Sequence, residues 1–478
     1  MRGYQVEGLR WMAEQHDEGA GIILGDEMGL GKTLQVLSFL VFLKAVRQEP
    51  GPHLVVAPLS VMNSWVCEAQ KWCPSLKVVT FHGSSAGEEE EKRERLRHEV
   101  LNKGMFDICI TTYEMLVADQ HAFVARSVWN YVVLDEAHRM KNENTVLGQV
   151  VRKLHCCNRL LITGTPLQNN LHELWSLLNI LFPDVLHSSE MFDAGFRINQ
   201  LYHNSSSQGV VDAALIECAH SLLESLMLRR LKRDVLSQEL PPKIEKKIVV
   251  PLSEMQRFVY AGILKQDIDK ILQLSKGSTD PASPKKLGMH YSSLNSMLMQ
   301  LRKVCNHPFL LPELDPMVTD QRIVETSSKL QVLDKILTKL QQEGRKALIY
   351  SQFTSMLDLI GDYMRFRNYK FLRLDGSTPA ARRRYEIACF ENPRSRFFVY
   401  LISTRAGGLG ITLIAADTVI IFDSDWNPSA DLQAMDRVHR IGQKKTVHCY
   451  RLVTQGTVEE RIVLAAEQKA LMNALVMR

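Results

Sequence analysis

Short apolar runs rich in valine, isoleucine and leucine alternate along this chain with longer stretches that mix apolar and polar residues. Continuous apolar runs separated by helical stretches are typical of strands buried in a parallel sheet that is covered on both faces. The runs form two series, which predicts two α/β lobes. The first series comprises Gly21–Leu24, Leu54–Ala57, Ile108–Thr111, Val132–Leu134 and Leu160–Thr163, and the second comprises Ala347–Tyr350, Phe397–Leu401 and Thr418–Phe422.

The region between the two series, roughly residues 170–330, has a different pattern that predicts mostly helices. Asp212–Arg230 and Leu294–Val304 are examples of such amphipathic stretches. Polar stretches of small residues at His203–Gly209 and Lys276–Lys286 indicate exposed loops. We therefore expect helical insertions between the strands of the two lobes.

The length of 478 residues is enough for two to four domains. We expect a first lobe over residues 1–235 with a helical protrusion. We expect a second lobe over residues 236–478 with a helical insertion at about 252–325.

Composition narrows the class of protein only modestly. The net charge of +5 and the pI of about 8.6 are compatible with a polyanionic partner but do not require one. No apolar run approaches the ~20 residues that span a bilayer, so we expect no membrane partner. The nine cysteines include no Cys-x-x-Cys pair, which favours free thiols in a reducing compartment.

A glycine-rich segment, Gly29-Leu30-Gly31-Lys32-Thr33, lies between the first predicted strand and the helix-like stretch Leu34–Leu43. Glycines in this context let backbone N–H groups turn inward and cradle phosphates at a helix N-terminus. Lys32 can reach the β and γ phosphates, and the Thr33 hydroxyl can hold Mg²⁺. The strict phosphate-loop pattern has glycine where this chain has Asp26. A glycine-rich turn without a ligand is the alternative.

An acidic pair, Asp135-Glu136, directly follows the apolar run Tyr131–Leu134. Carboxylates at the C-terminal end of a buried strand lie at the mouth of an α/β nucleotide site. Asp135 is expected to hold Mg²⁺, and Glu136 to orient and deprotonate the attacking water. The alternative is an acidic turn between a strand and a loop.

Two arginines near the C-terminus, Arg437 and Arg440, are three positions apart and would share one face of a helix. Guanidinium groups placed in this way stabilise charge on a transferring phosphoryl group, an effect worth about 10³–10⁵ in rate. They belong to the second series, so we expect the site to be complete only when the lobes close. A solvated basic helix is the alternative.

The chain is similar to helicase-type ATPases of superfamily two, because several of its segments occur in the order seen in that group. Within that group it resembles the SWI/SNF-like chromatin-remodelling ATPases, from Tyr4 to about Glu467. Leu228–Val235 and Leu240–Lys243 look like the ISWI and CHD groups. The other segments that carry the resemblance are Gly25–Thr33, Asp135–His138, Thr163–Asn169, Leu301–Pro308, Ser403–Gly410, Asp423–Pro428 and Asp436–Gln443.

The resemblance implies two RecA-like lobes, with ATP and Mg²⁺ as cofactors. It implies that Gln5 contacts adenine and that the loop Thr163–Asn169 links the nucleotide site to the DNA path. The other residues implied to bind nucleotide are Asp26, Glu27, Met28, Gly29, Leu30, Gly31, Lys32, Thr33, Gly408 and Gly410. Those implied to contact DNA are Ser60, Thr111, Thr112, Arg139, Lys141, Ser351, Gln352, Thr404, Arg405 and Trp426. Cys305 and His307 invite a zinc reading, but two ligands do not make a site.

The resemblance also implies a function and partners. We expect an ATP-dependent translocase on double-stranded DNA, acting in the nucleus as the motor core of a nucleosome remodeller. Nucleosomes, histone tails and accessory subunits or flanking targeting domains are the implied partners. The alternatives are a translocase or helicase acting on DNA without nucleosomes, and a non-catalytic scaffold that binds DNA.

Overall fold

The computed structural model describes residues 1–83, 106–125, 128–140, 145–164, 172–183, 224–236, 239–276, 296–314, 320–404 and 411–476. The chain forms two compact units. The first is built mainly from Met1–Glu239 and the second from Leu240–Gly408 with Thr412–Gln468. Among the described residues, no helix combines the length and apolar character needed to cross a bilayer.

The first unit contains a parallel sheet with seven strands in its described part, in the order β3-β4-β2-β5-β6-β1-β7. β1, β2 and β4 are buried along their whole length and β5 at all but one position, as the continuous apolar runs predict. The strands are β1 (Ile22–Leu24), β2 (His53–Ala57), β3 (Val78–Phe81), β4 (Ile108–Thr112), β5 (Trp129–Asp135), β6 (Cys156–Ile162) and β7 (Met227–Leu228).

Helices cover both faces of this sheet, because neighbouring residues of each strand enter separate apolar cores. Ile23 packs into one core with residues of α4, α6 and α7, and Ile22 and Leu24 pack into the other with residues of α1, α2 and α3. The helices are α1 (Gly3–Asp17), α2 (Lys32–Val46), α3 (Leu59–Trp72), α4 (Tyr113–Ala118), α5 (Gln120–Val124), α6 (Val146–Lys153), α7 (His172–Leu181) and α8 (Lys232–Val235).

The second unit contains a parallel sheet with six strands in its described part, in the order β10-β11-β9-β12-β13-β8. β8 forms one edge and carries exposed charged residues along much of its length. The strands are β8 (Lys243–Val250), β9 (Ala347–Ser351), β10 (Phe371–Leu374), β11 (Val399–Ser403), β12 (Thr418–Ile421) and β13 (Val447–Thr454).

One face of this second sheet packs against α12 and α13 around Ile349 and Leu401. On the other face, the ring of Phe390 in α14 lies 5.3 Å from that of Tyr400 in β11. The helices are α9 (Glu254–Lys276), α10 (296–306), α11 (Arg322–Glu325), α12 (Ser328–Gln342), α13 (Thr354–Phe366), α14 (Ala380–Glu391), α15 (Pro428–Met435) and α16 (Val458–Val476).

The predicted fold class, two α/β lobes with parallel sheets covered by helices, is confirmed, and each predicted strand corresponds to a strand. The described part of the region 170–330 contains helices, as predicted, but also β8. Residues 212–223 of the predicted helix Asp212–Arg230 lie outside the described residues, and in its described part β7 ends the helix, because Met227 and Leu228 pair with β1. The loop His203–Gly209 and all but the first residue of Lys276–Lys286 lie outside the described residues. The predicted helix Leu294–Val304 corresponds to α10.

Candidate functional site

The glycine-rich loop and the acidic pair emerge from the same edge of the first sheet. In the strand register, Leu24 of β1 and Asp135 of β5 both lie opposite Ile162 of the intervening β6. Neighbouring strands are about 4.8 Å apart, so the ends of β1 and β5 are separated by roughly 10 Å. The loop that follows Leu24 and the carboxylates that follow Leu134 therefore face a common space.

The loop wraps around the amine of Lys32, the first residue of α2. The Lys32 Nζ donates to the carbonyl oxygens of Asp26 at 2.7 Å and Glu27 at 3.4 Å. Burial lowers the pKa of Lys32, while the carboxylates of Glu136, Asp26 and Asp135 oppose that shift. The cation therefore lies within electrostatic reach of the acidic pair.

Asp26, the departure from the strict phosphate-loop pattern, is a structural anchor. Its side chain is fully buried, and its Oδ1 accepts from the backbone N–H and the Nε of Arg230, each at 3.0 Å. Its Oδ2 accepts from Gln35 Nε2 at 3.1 Å and from Arg230 Nη2 at 2.5 Å. A buried carboxylate with a paired guanidinium therefore fixes the part of the loop where other phosphate loops have glycine.

The segment 228–232, which we call the brace, holds the loop at further points. Backbone N–H groups of Gly25 and Glu27 donate to the carbonyls of Leu228 at 2.8 Å and Arg230 at 3.0 Å. The Glu27 carboxylate accepts the Lys232 N–H at 2.7 Å. The side chains of Asp26 and Glu27 are thus committed to the brace. Sequence reasoning missed this role, although the brace lies in a segment that carried the family resemblance.

Gln5 and Tyr4 hold the loop from the side of α1. The Tyr4 hydroxyl and the Gln5 Nε2 both donate to the carbonyl of Leu30, at 2.9 and 3.2 Å. Gly31 has a φ of +78°, a conformation that favours glycine, and a Cβ there would lie 2.6 Å from Gln5 Nε2 and displace that amide. Contact between Gln5 and adenine stays a prediction.

Asp135 is held at three atoms. Its Oδ1 accepts the Glu136 N–H at 2.9 Å, its Oδ2 accepts the indole N–H of Trp65 at 2.8 Å, and its carbonyl accepts the Tyr113 hydroxyl at 2.6 Å. Burial and the neighbouring Glu136 raise the pKa of Asp135 to about 6, while the Trp65 hydrogen bond and Lys32 counteract the rise. The site therefore carries more negative charge than Lys32 neutralises, which favours a further cation.

Glu136 has a φ of +54°, a conformation that non-glycine residues seldom adopt. Such strain costs on the order of 1 kcal/mol and is tolerated where the surroundings impose it. Its Oε2 lies 3.2 Å from Nδ1 of His138, within the same turn. The turn carries the Glu136 side chain out of the strand at the site edge, which suits a general base.

The donor set is chemically suited to Mg²⁺. Asp135 and Thr33 offer oxygen atoms, the ligands that hard cations prefer. Within the described ranges, no group of three histidine, cysteine or acidic side chains could bind a metal alone. Protein sites for Mg²⁺ usually supply one or two carboxylates and leave the other positions to water and substrate phosphates. The residues therefore fit a metal that arrives with a nucleotide.

In the second unit, Arg437 and Arg440 do not lie on a helix, so the prediction that they share a helix face is wrong. α15 ends before them, and residues 436–440 form turns. The Arg437 carbonyl accepts the Leu413 N–H at 3.1 Å, and Gly442 has a φ of +104°. Since a distant backbone N–H takes the Arg437 carbonyl, that carbonyl is not part of a helical hydrogen-bond ladder.

The two arginines also have different surroundings. Arg437 is only 6% exposed and lies close enough to Tyr350 to counteract the rise that burial causes in the pKa of that phenol. Arg440 is partly exposed, and its Nη1 donates to the Thr412 hydroxyl at 2.7 Å. Arg437 therefore has a packing role that Arg440 lacks. A finger role for either one stays a prediction.

Two of the residues expected to face DNA in the first unit are engaged inside it. The Thr111 hydroxyl donates to the Phe81 carbonyl at 2.9 Å, and the Thr112 hydroxyl accepts the Met115 N–H at 3.2 Å. Both threonines are buried. These hydroxyls fix strand and helix ends, so we expect them to support the site from within the unit and not to contact phosphate directly.

Ser60 and Arg139 differ in accessibility. Ser60 is half-buried in the first turn of α3, next to the exposed Leu59, but its hydroxyl oxygen is itself buried. Arg139 is exposed, and its guanidinium donates to Glu114 at 2.9 Å and lies over the Tyr113 ring. The position of Arg139 is compatible with a phosphate contact.

In the second unit, Asp423 organises the end of β9. Its carboxylate accepts the Ser351 hydroxyl, and it accepts the Gln352 N–H at 2.8 Å. The Gln352 Nε2 donates to the Ser424 carbonyl at 2.6 Å. Ser351 is fully buried, so its hydroxyl orients this loop from within, whereas Gln352 is partly exposed.

The remaining residues predicted to bind DNA or nucleotide either differ in exposure or lie outside the described ranges. Thr404 is buried, and Trp426 is 37% exposed in the turn before α15. His307 uses both ring nitrogens, since Nδ1 accepts the Phe309 N–H and Nε2 lies 2.8 Å from the Ile323 carbonyl. The predicted residues Lys141, Arg405, Gly408 and Gly410, and the loop residues 165–169, lie outside the described ranges.

Comparison with known proteins gives matches over most of the chain. A family model described as the SNF2-related domain matches residues 4–310, and one described as the helicase conserved C-terminal domain matches residues 328–442. The human SWI/SNF-related matrix-associated actin-dependent regulator of chromatin subfamily A member 1 is 46% identical over 100% of this chain. The ISWI chromatin-remodeling complex ATPase ISW2 of Saccharomyces cerevisiae is 44% identical over 100% of it.

A more distant relative, the nuclear protein STH1/NPS1 of Saccharomyces cerevisiae, is 39% identical over 98% of the chain. The chain spans 44%, 41% and 34% of the lengths of these three relatives. The similarity therefore concerns a part of each relative, the part that contains the two matched domains.

Proposed function

Because this chain belongs to the SNF2-related family of helicase-type ATP hydrolases, we propose that it is the motor core of a nucleosome remodeller. In this role it couples ATP hydrolysis to translocation along double-stranded DNA and so moves DNA over histones. The observation that carries the proposal is the convergence of Lys32, Asp135 and Glu136 at one sheet edge. That arrangement supports catalysis and argues against a non-catalytic scaffold.

In this proposal each residue of the first unit has a separate task. Lys32 binds the β and γ phosphates, which requires it to exchange the loop carbonyls for phosphate oxygens. Thr33 and Asp135 hold Mg²⁺, which supplies charge neutralisation at the phosphates. Glu136 accepts the proton of the attacking water. Arg437 and Arg440 of the second unit supply positive charge for the transferring group.

The proposed track is the phosphate backbone of duplex DNA. Arg139, Gln352 and Trp426 are the accessible residues on which that contact rests, together with the first turn of α3, where Ser60 lies beside the exposed Leu59. Contacts of hydroxyl, amide and guanidinium groups with phosphate position a protein without selecting sequence. The names of the relatives, which are chromatin regulators and remodelling ATPases, support nucleosomes, histone tails and accessory subunits as partners and the nucleus as the location.

The test is the rate of ATP hydrolysis with no DNA, with naked duplex and with nucleosomes, for the wild-type chain and for Lys32→Ala. We expect stimulation by duplex that is insensitive to sequence and falls steeply with salt, because phosphate neutralisation releases counterions. Lys32→Ala controls for contaminating ATPases. A rate that no nucleic acid changes would contradict the proposal.

The competing function is a translocase or helicase that acts on DNA without nucleosomes. A nucleosome-sliding assay and a strand-separation assay on forked duplex distinguish the two. Sliding without strand separation supports a remodeller. Strand separation, or DNA-stimulated hydrolysis that leaves nucleosomes in place, supports the competitor.

A further inference from the structure

Two tryptophans in the core of the first unit satisfy their indole N–H groups in different ways. Both side chains are fully buried, and a buried indole N–H needs an acceptor. Trp129 Nε1 donates to the backbone carbonyl of Phe123 at 3.2 Å. Trp65 Nε1 donates to the carboxylate of Asp135 at 2.8 Å, a site residue 70 positions away in sequence.

The Trp65 hydrogen bond selects one orientation of the Asp135 carboxylate. The Glu136 N–H occupies one lone pair of Oδ1 and the Trp65 N–H occupies one lone pair of Oδ2. Each oxygen has two lone pairs, so one on each remains for a metal ion or its water. Without the indole donor, the carboxylate would be held by Glu136 alone and could rotate about its Cβ–Cγ bond.

Trp65 also joins Asp135 to α3. Its ring is fully buried in the same core as Tyr131 and Val133 of β5. Leu59, which is exposed, and Ser60 lie in the first turn of α3, six and five residues before Trp65, or about 8–9 Å along the helix axis. A shift of that turn would therefore be transmitted to the donor of the Asp135 hydrogen bond.

We propose that Trp65 is a positioning residue that sets the Asp135 carboxylate for Mg²⁺-nucleotide and carries the position of α3 to it. The coupling to α3 rests on the proposed function, because it assigns the first turn of α3 to the DNA track. The orientation of Asp135 does not depend on DNA. The orientation of Asp135 and its coupling to α3 are therefore tested by separate measurements.

The test compares Trp65→Phe with Trp129→Phe. Each change deletes one buried indole N–H and leaves a ring, but only the first N–H reaches a site residue. Affinity for a non-hydrolysable ATP analogue is measured by calorimetry with Mg²⁺ and with EDTA, with and without duplex DNA. Hydrogen-bond partners of metal ligands are typically worth 10–100-fold in metal affinity. We therefore expect Trp65→Phe to bind the analogue about tenfold or more weakly than the wild type with Mg²⁺, and nearly as tightly as the wild type with EDTA.

The affinity of Trp129→Phe for the analogue should match that of the wild type, with Mg²⁺ and with EDTA. Duplex should strengthen Mg²⁺-dependent binding in the wild type and in Trp129→Phe but not in Trp65→Phe. Equal losses with Mg²⁺ and EDTA, or identical behaviour of the two variants, would overturn the inference. If duplex changes neither binding nor hydrolysis in the wild type, the proposed function fails, while the comparison of Mg²⁺ with EDTA still decides the role of Trp65.

A second variant keeps the test decisive if Trp65→Phe does not fold. Site-specific replacement of Trp65 by 3-benzothienylalanine substitutes sulfur for the indole N–H and preserves the bicyclic ring. The same replacement at Trp129 is the control. The selective loss with Mg²⁺ should persist at position 65, and its absence there would overturn the inference.

Discussion

Replacement of Arg230 by methionine should be among the most damaging single changes in the first unit. Methionine fills much of the same volume but cannot pair with the fully buried Asp26. The carboxylate would lose its bonds to Nε at 3.0 Å and Nη2 at 2.5 Å. It would keep the Arg230 backbone N–H at 3.0 Å and the Gln35 amide at 3.1 Å. A buried negative charge would then remain without a cation from the brace.

Breaking a buried pair from one side costs about 3–5 kcal/mol. For a unit of this size, 1 kcal/mol corresponds to roughly 2–4 °C, so the melting temperature should fall by on the order of 10 °C. Asp26→Asn removes the charge that Arg230 neutralises. The double variant should therefore be less destabilised than the two single costs predict, with a coupling energy of about 2 kcal/mol.

The assay follows the unfolding transition that an ATP analogue shifts upward, because that transition belongs to the nucleotide-binding unit. Arg159→Met is a matched control. Arg159 is 9% exposed and donates to the carbonyls of Ile180 at 2.9 Å and Leu154 at 3.3 Å, so its loss leaves neutral acceptors and should cost about 1–2 kcal/mol. An Arg230→Met cost no larger than that of the control, or strict additivity with Asp26→Asn, would refute the reasoning.

Three further predictions test the site and the core. Glu136→Gln should bind ATP normally while turnover collapses, and turnover within about threefold of the wild type would exclude Glu136 as the base. Arg440→Ala should lower DNA-stimulated turnover with little change in melting temperature, whereas Arg437→Ala should lower turnover and melting temperature. Turnover and melting temperature are measured for each variant. Near-normal turnover in the two variants would show that neither arginine takes part in catalysis. Burial lowers the pKa of His53 to about 4. Stability should be complete above pH 6.5 and fall by about 3 kcal/mol as pH drops towards 4, because the unfolded chain binds the proton first. His53→Phe should flatten that part of the pH–stability curve, and an unchanged slope would contradict the assignment.

The strands that sequence predicted were those with uninterrupted apolar runs. β8 and β13 were missed because charged and polar residues alternate with apolar ones along an edge pair, so neither looks like a strand buried on both faces. β7 was missed because it is two residues long and depends on its pairing with β1. Their existence is decided by neighbours distant in sequence.

In the candidate site, too, some residues could be predicted from the sequence and others could not. Lys32 was identified because it lies in a glycine-rich segment between a predicted strand and a predicted helix, and Asp135 and Glu136 because they directly follow an apolar run. Trp65 and Arg230 were missed, because nothing local distinguishes them from an ordinary core tryptophan and a surface arginine. The turn at Arg437 was mistaken for a helix, since spacing alone does not reveal that Leu413 captures a carbonyl there.

The brace gives synthesis of the chain an order of events. Asp26 and Arg230 are 204 residues apart, and ribosomes add about 5–20 residues per second. The phosphate loop therefore leaves the ribosome roughly 10–40 s before the segment that anchors it. During that interval the loop lacks the guanidinium and the backbone acceptors that fix it, so we expect nucleotide to bind only after β7 has joined the sheet.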